Sequence, residues 1–338
     1  MKILLGMSGG LDSTYAALKL QSEGHTVEGA VLVMHDYTET KEAKAAADSL
    51  GIPLHVLDCR EAFRNCVIDN FAKEYLSART PNPCIICNAE VKLRHLYDFA
   101  MVSGFDKIAT GHYAEVVKAD GGYAVKRGAD LKKDQSYMLW RVSSEMLSAL
   151  VLPLAHMEKS DIRQHAQEIS LAAADKEESQ EICFIPDNDY ASYIEKNYRK
   201  CEKGSFVSED GKILGEHKGI LHYTVGQRRG LGVAAGERMF ITEINAETNT
   251  ITLAQKGHGV KDTFEISDLV FTGMKKTDTG TCILDVKTRY LSPLCRAELT
   301  FSNNTARVRF LDEPKLVTPG QSAVFYRDGV IMLGGFIN

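Results

Sequence analysis

The sequence predicts an α/β domain built on a parallel sheet, followed by two small β-rich domains. Three observations predict it. Over the first 200 residues, short apolar runs alternate with segments of helical periodicity. A glycine-rich stretch, Gly6-Met7-Ser8-Gly9-Gly10, joins the first apolar run to the first helical pattern. Near residue 203 the texture changes to short β-prone runs set between glycines, among them Gly215, Gly219, Gly226, Gly230, Gly232 and Gly236.

Residues 2–7 form a short stretch that is apolar after Lys2, as a buried strand is. Residues 13–23 carry Ala16, Ala17 and Leu20 at helical spacing, with Gly24 as the stop. Valine-rich residues 26–34 form the second strand, alanine-rich residues 41–50 the second helix closed by Gly51, and residues 54–57 the third strand. Residues 60–76 read as a long helix, another helix starts near Asn88, and residues 108–110 form the fourth strand. Strands and helices in alternation imply parallel pairing, and ligands of such sheets lie beyond the carboxyl ends of the strands. Downstream, residues 240–244, 250–253, 306–310 and 323–326 are short strands between frequent turns, the mark of small antiparallel barrels or sandwiches.

A chain of 338 residues exceeds one ordinary core. The changes of texture divide it into 1–202, 203–272 and 273–338. Its 44% hydrophobic and 25% charged content is that of a soluble globular protein, and no apolar run reaches the ~18 residues of a membrane span. The first seven residues are interrupted by Ser8-Gly9-Gly10 too soon for a signal peptide, so a cytoplasmic location with no membrane partner is expected. Eight cysteines are too sparse for a disulfide scaffold and read as thiols in a reducing compartment. The net charge of −5 argues against a nucleic-acid partner, but residues 196–230 hold eight Lys/Arg against four Asp/Glu, and distribution counts for more than the sum.

The stretch from Gly6 to Ser13 has the chemistry of an anion cradle. Consecutive small residues let backbone N–H groups converge, and the helix that follows adds its positive end. Ser8 and Ser13 add hydroxyl donors, and Asp12 is a candidate ligand for the Mg2+ that accompanies phosphates. The Gly-Lys-Ser/Thr of a Walker loop is absent. Met34, at the end of the second strand, is placed to pack against a purine, although alone it reads as core. Gly111, in Thr110-Gly111-His112-Tyr113-Ala114, permits close backbone approach at the end of the fourth strand.

Thr80-Pro81-Asn82-Pro83-Cys84-Ile85-Ile86-Cys87-Asn88 is a proline-stiffened loop leading into a helix. Cys87 then falls near a helix N-terminus, where a thiolate is favoured. Cys183 lies far along the chain, in Ile182-Cys183-Phe184-Ile185. Two readings compete. In one, Cys84-x-x-Cys87 is half of a zinc site, although the second pair that such a site uses is missing. In the other, Cys87 and Cys183 meet beside the nucleotide; one carries a terminal sulfur as a persulfide, and the other acts as nucleophile or resolves the disulfide.

Ser8-Gly9-Gly10-Leu11-Asp12-Ser13 resembles the SGGxDS loop of the ATP pyrophosphatases, which cleave ATP between the α and β phosphates and adenylate a carbonyl-type oxygen. Further motifs follow in order: Thr-Pro-Asn-Pro-x-x-x-Cys-Asn, Gly111-His112-Tyr113, Lys133-Asp134-Gln135-Ser136-Tyr137, Ile182-Cys183-Phe184-Ile185, and the run from His222-Tyr223-Thr224 through Gln227-Arg228-Arg229 to Gly232. Together they resemble the bacterial tRNA-specific 2-thiouridylase family over nearly the whole chain.

The resemblance implies a Rossmann-like first domain of the adenine nucleotide α-hydrolase type and a C-terminal β-barrel that binds tRNA. It implies ATP and Mg2+ as cofactors, and conversion of the wobble uridine of Lys, Glu and Gln tRNAs to 2-thiouridine. ATP would lie on Gly6, Met7, Ser8, Gly9, Gly10, Leu11, Asp12, Ser13, Met34 and Gly111. Cys87 would be the nucleophile and Cys183 the persulfide carrier, with a transient disulfide between them. Asn82, Pro83 and Cys84 would face the target base. His112, Lys133, Asp134 and Gln135 would touch the tRNA, as would Arg289, Tyr290 and Gln321 from the barrel. No pyridoxal-phosphate site is visible, so a separate cysteine desulfurase or sulfur relay protein would supply the sulfur. Many members of the family have Asp where this chain has Cys84, and a role assigned to that Asp does not carry over.

Two rivals make different demands. An amidating synthetase with the same loop has no need of Cys87 and Cys183. A non-catalytic RNA-binding protein has no need of an intact loop with Asp12.

Overall fold

The computed structural model describes residues 1–171, 173–174, 182–185, 187–233, 238–255, 257–276 and 280–338. The first apolar run is β1 (Lys2–Gly6), in which Ile3, Leu4 and Leu5 have no exposed surface. Ile3 and Leu5 pack with Tyr15, Ala16, Ala17 and Leu20 of the helix Leu11–Ser22. Leu4 packs on the opposite face with Leu93, Leu96 and Ala100 of the helix Leu93–Val102. A strand covered on both faces needs apolar side chains at its central positions, which is why Ile3, Leu4 and Leu5 run unbroken.

β2 (Thr26–Val33), β3 (Leu54–Asp58) and β4 (Lys107–Ala109) continue the sheet. β5 (Ala114–Ala119) and β6 (Gly122–Arg127) form a hairpin that leaves it, and β7 (Leu150–Val151) returns to its edge. The order is β3-β2-β1-β4-β7, parallel throughout. The chain moves outward from β1 to β3 and then crosses to β4 on the far side of β1. The carboxyl ends of β1 and β4 therefore flank a topological switch point, where such sheets bind ligands.

Residues 60–76 form one continuous helix with a π-helical turn over Arg64–Ile68. The next helix begins earlier than the expected start near Asn88. Asn82 caps it by accepting from Cys84 N at 3.2 Å, Pro83 takes the first helical position, and a π-helical turn over Cys87–Lys92 leads into Leu93–Val102.

The second half is β-rich. β8 (Gly204–Ser208), β9 (Ile213–His217), β10 (Phe240–Asn245) and β11 (Thr250–Ala254) form a sheet of order β10-β11-β8-β9. β12 (Thr263–Phe271), β13 (Thr281–Lys287), β14 (Cys295–Ser302), β15 (Thr305–Phe310), β16 (Ser322–Arg327) and β17 (Val330–Ile337) follow. They close into a six-stranded barrel because β12 pairs with both β15 and β17. β12 precedes the division expected at 272/273, yet both of its partners lie in the barrel.

The barrel is fastened to the α/β unit. β17 pairs with β6 at Val330 and Lys126, so the hairpin extends the barrel sheet. Trp140, the one tryptophan of the chain, is fully buried at this joint and donates from Nε1 to Ser322 Oγ at 3.0 Å. The Tyr137 hydroxyl donates to Ser322 O at 2.9 Å. Thr80 N donates to Pro319 O at 2.8 Å, and Gln321 Nε2 donates to Thr80 O at 2.7 Å, so the barrel holds the loop that opens the Cys87 helix. Among the described residues no helix is long and apolar enough to cross a membrane.

Candidate active site

The segments after β1, β2 and β4 enclose a cleft of about 300 Å³ whose lining includes Ser8, Asp12, Met34, Lys92, Gly111 and His112. On one side lies the glycine loop. Ser8 N donates to Ser13 Oγ at 3.2 Å, and Ser13 Oγ donates to Gly10 O at 3.2 Å. Gly10 caps the helix Leu11–Ser22 with no side chain, which leaves the first-turn N–H groups available to an anion. Gly9 has φ +79°, and a Cβ there would run into the backbone of Glu42 and Ala43. A Cβ on Gly111 would lie 2.9 Å from the Asp12 carbonyl carbon. Gly111 thus permits close approach, and what it approaches is the loop itself.

Asp12 is already engaged. The Tyr113 hydroxyl donates to its Oδ1 at 2.6 Å, and Lys159 Nζ donates to the same oxygen at 2.5 Å. Lys159 opens the helix Lys159–Glu168 and is 8% exposed.

On the other side of the cleft lie the thiols. The Cys87 thiol donates to Met34 Sδ at 3.7 Å, so the sulfur stands against a residue that lines the cleft. Cys87 sits one turn inside the helix that Pro83 opens, near its N-terminus, and is buried. Burial pushes its thiol up to about 12, and Lys92 opposes this only in part. The thiolate is therefore disfavoured, the reverse of the expectation.

Lys92 is the charged centre of the cluster. Burial pulls its ammonium down, but interaction with Cys87, Cys84 and Cys183 outweighs that and holds it above its ordinary value. No carboxylate among the described residues pairs with it. The π-helical turn explains the placement: i→i+5 winding brings position 92 over position 87, whereas in an α-helix these positions diverge.

Cys183 is exposed, on a segment anchored by Phe184, whose ring meets those of Phe63 and Phe71 edge-on at 5.6 and 5.4 Å. Although part of Cys183 reaches the surface, the protein packed around its sulfur desolvates it and raises the thiol, while Lys92 lowers it. Residues 175–181, just before it, lie outside the described residues. Cys84 is exposed. Among the described residues no three His, Cys, Asp or Glu side chains gather as a metal site, so Cys84 and Cys87 lack zinc partners there.

The remaining expected contacts divide. His112 lines the cleft, with Nδ1 2.8 Å from Thr110 Oγ1; burial, then Lys92, pushes its imidazole down to about 3, so it is neutral. Gln135 lines the cleft and accepts from Tyr113 N at 3.0 Å. Lys133 is half-buried in the same segment. Asn82 donates to Met138 Sδ at 3.5 Å and, with Pro81, lines a smaller hollow beside Arg141. Pro83 is half-buried at the helix start.

Asp134 is 3% exposed and accepts from Arg127 Nε at 3.0 Å and Ser136 N at 3.1 Å, so its carboxylate organises its own loop. Arg289 donates from Nη2 to Val225 O at 2.9 Å and to the Thr318 hydroxyl, tying the central domain to the barrel. Tyr290 packs on Tyr137, and Gln321 is engaged with Thr80. Arg228, Arg229 and Arg238 line an open hollow of about 480 Å³ on the central domain.

Sequence reasoning missed Lys92, Lys159 and the role of Tyr113. Lys92 was hidden because the α-helical period puts it on another face from Cys87. Lys159 stands 147 residues from Asp12, with no local signal to connect them.

Three family models match in series. Residues 1–187 match a model described as the tRNA methyl transferase HUP domain, residues 192–255 a tRNA methyl transferase PRC-barrel domain, and residues 261–337 an aminomethyltransferase β-barrel domain. Fold and cleft together define a HUP-domain protein with two appended β domains. The tRNA-specific 2-thiouridylase MnmA of Clostridium perfringens is 38% identical over 352 residues, covering 99% of this chain and 98% of that protein. The protein of the same name from Acetivibrio thermocellus is 40% identical over 355 residues, with 99% and 98% covered. The chain belongs to the tRNA-specific 2-thiouridylase family. The methyl transferase wording of the domain models has no counterpart in the names of these full-length relatives.

Proposed function

We propose that this chain is a tRNA-uridine 2-sulfurtransferase that activates the wobble uridine of Lys, Glu and Gln tRNAs with ATP and replaces its C2 oxygen with sulfur. The observation that carries the reading is the junction of cleft and thiols. Met34 lines the cleft beside the glycine loop, and its sulfur is in contact with Cys87.

The C2 oxygen of uracil is a poor leaving group. Its attack on the α-phosphorus of ATP expels pyrophosphate and makes that oxygen part of AMP, which leaves readily. The uncapped helix start, Ser8, Ser13 and Lys159 suit the pyrophosphate, and Lys159 also neutralises Asp12. Asp12 would help hold a magnesium ion carried in by the phosphates, which would offset charge on the departing pyrophosphate. A persulfide on Cys183 brings its terminal sulfur to C2, Cys87 attacks Cys183 Sγ, and AMP departs. The S–S bond of the persulfide breaks, a Cys87–Cys183 disulfide forms, and the sulfur stays on the base. Two electrons from an external reductant reopen the disulfide. Lys92 lowers the cost of ionising each thiol in turn. The base must leave its stack to reach the cleft, and the Arg228–Arg229 hollow suits tRNA phosphates. A separate desulfurase or relay protein would load Cys183, in the cytoplasm.

The test is incubation of the full chain with unmodified tRNA, ATP, magnesium and a persulfide donor, followed by mass analysis of the nucleosides. One AMP and one pyrophosphate should appear per 2-thiouridine. Cys183→Ala should abolish the product while ATP still binds. Undiminished 2-thiouridine from Cys183→Ala or Cys87→Ser would favour an amidating-type enzyme and overturn the sulfur route.

A further inference from the structure

The third thiol of the cluster has no part in the reaction above. Cys84 lies three residues before Cys87, in the first turn of the helix that Asn82 caps. It is exposed, whereas Cys87 is 4% exposed. The spacing Cys84-Ile85-Ile86-Cys87 at a helix start is that of dithiol redox motifs. Side chains three apart on a helix stand ~5–6 Å apart at Cβ, so a modest tightening of the turn brings them within disulfide reach. The three thiols lie within electrostatic reach of one another: Lys92 interacts with all of them, and Cys84 acts on both Cys87 and Cys183.

We propose that Cys84 is a resolving thiol that moves the disulfide away from Cys183. Its sulfur attacks Cys87 Sγ of a Cys87–Cys183 disulfide, a bond that exists only on the reading of function given above. The Cys84–Cys87 bond forms as the Cys87–Cys183 bond breaks, so no electrons enter or leave. The proton that Cys84 gives up is matched by one that Cys183 takes up, and Lys92 faces the thiolate at either stage. An external dithiol then reduces the Cys84–Cys87 bond, supplying two electrons and two protons and itself becoming a disulfide. It attacks at the exposed sulfur of Cys84, because Cys87 is shielded. Cys183 is thereby free to take up the next sulfur before the protein has been reduced.

The experiment treats the reduced full-length protein with one equivalent of diamide, allows the thiols to equilibrate, blocks free thiols with iodoacetamide, and maps the peptides without reduction. Wild type should carry Cys84–Cys87 with Cys183 alkylated. In Cys84→Ser the bond should revert to Cys87–Cys183, and alkylation of Cys183 should fall roughly tenfold as the neighbouring thiol's high effective concentration is lost. Trp140 emission checks that the exposed substitution leaves the fold intact. A wild type that rests as Cys87–Cys183 with Cys84 alkylated overturns the exchange and leaves the sulfur route standing. Failure of Cys84→Ser to form Cys87–Cys183 at all removes the pairing that the sulfur route needs, and the exchange with it.

Discussion

Replacing Lys92 with methionine keeps the bulk of the side chain and removes its charge. With its thiol pushed up to about 12, Cys87 is far less ionised at pH 7 than an ordinary cysteine. Lys92 is the one influence that lowers it; burial, Cys84, Cys183 and Cys59 all push it up. A facing opposite charge is worth roughly one to three decades in thiolate fraction. Lys92→Met should therefore slow iodoacetamide labelling of Cys87 at least about tenfold and slow Cys183 as well, since Lys92 lowers that thiol too. Cys59 is the internal control. It sits at about 11 through burial and then Asp58, with no contribution from Lys92, so its labelling should not change. Residue-resolved competition between light and heavy iodoacetamide, read by mass spectrometry from pH 7 to 10, measures all three sites in one sample. Lys92→Arg should restore much of the rate. Unchanged labelling of Cys87 and Cys183, or a parallel change at Cys59, would refute the electrostatic argument. The sign for stability follows: a thiol held above its ordinary 9 is neutral in both states below pH 9, and its contribution to folding is lost as pH rises from 9 toward 12.

Gly9→Ala places a Cβ at positive φ and against the backbone of Glu42 and Ala43; it should cost roughly 1–3 kcal/mol in urea denaturation and weaken ATP binding in calorimetry. His112 is held neutral down to about 3, so its contribution to stability is complete above pH 6.5 and is lost as pH falls toward 3. His112→Gln should remove most of the acid sensitivity that His112 contributes in that window, seen as a flatter stability profile. Ser322→Ala removes the hydroxyl that accepts from Trp140 Nε1 in a closed interior. A loss of about 1–3 kcal/mol is expected, read by the emission of the only tryptophan.

What the sequence determined by itself is what short-range physics decides. The unbroken apolar run of β1 demanded cover on both faces, and small residues from Gly6 to Gly10 demanded a turn with its N–H groups exposed. The helix Lys41–Leu50 was closed by Gly51, which adopts φ +65°. Motif order carried the family. What only the tertiary structure decided depends on which distant groups meet and how much water they keep. The ammonium on Asp12 comes from Lys159, and closure of the barrel depends on β12 finding β17. Asp134 entered only as part of a motif, and the structure buries its carboxylate against Arg127 and its own loop. Cys87 looked activated by a helix end, but desolvation outweighs a dipole once the thiol leaves water. Lys92 reaches the sulfurs through a single π-helical turn, and periodicity reads such a turn as ordinary α-helix because one extra residue per turn leaves no mark in composition.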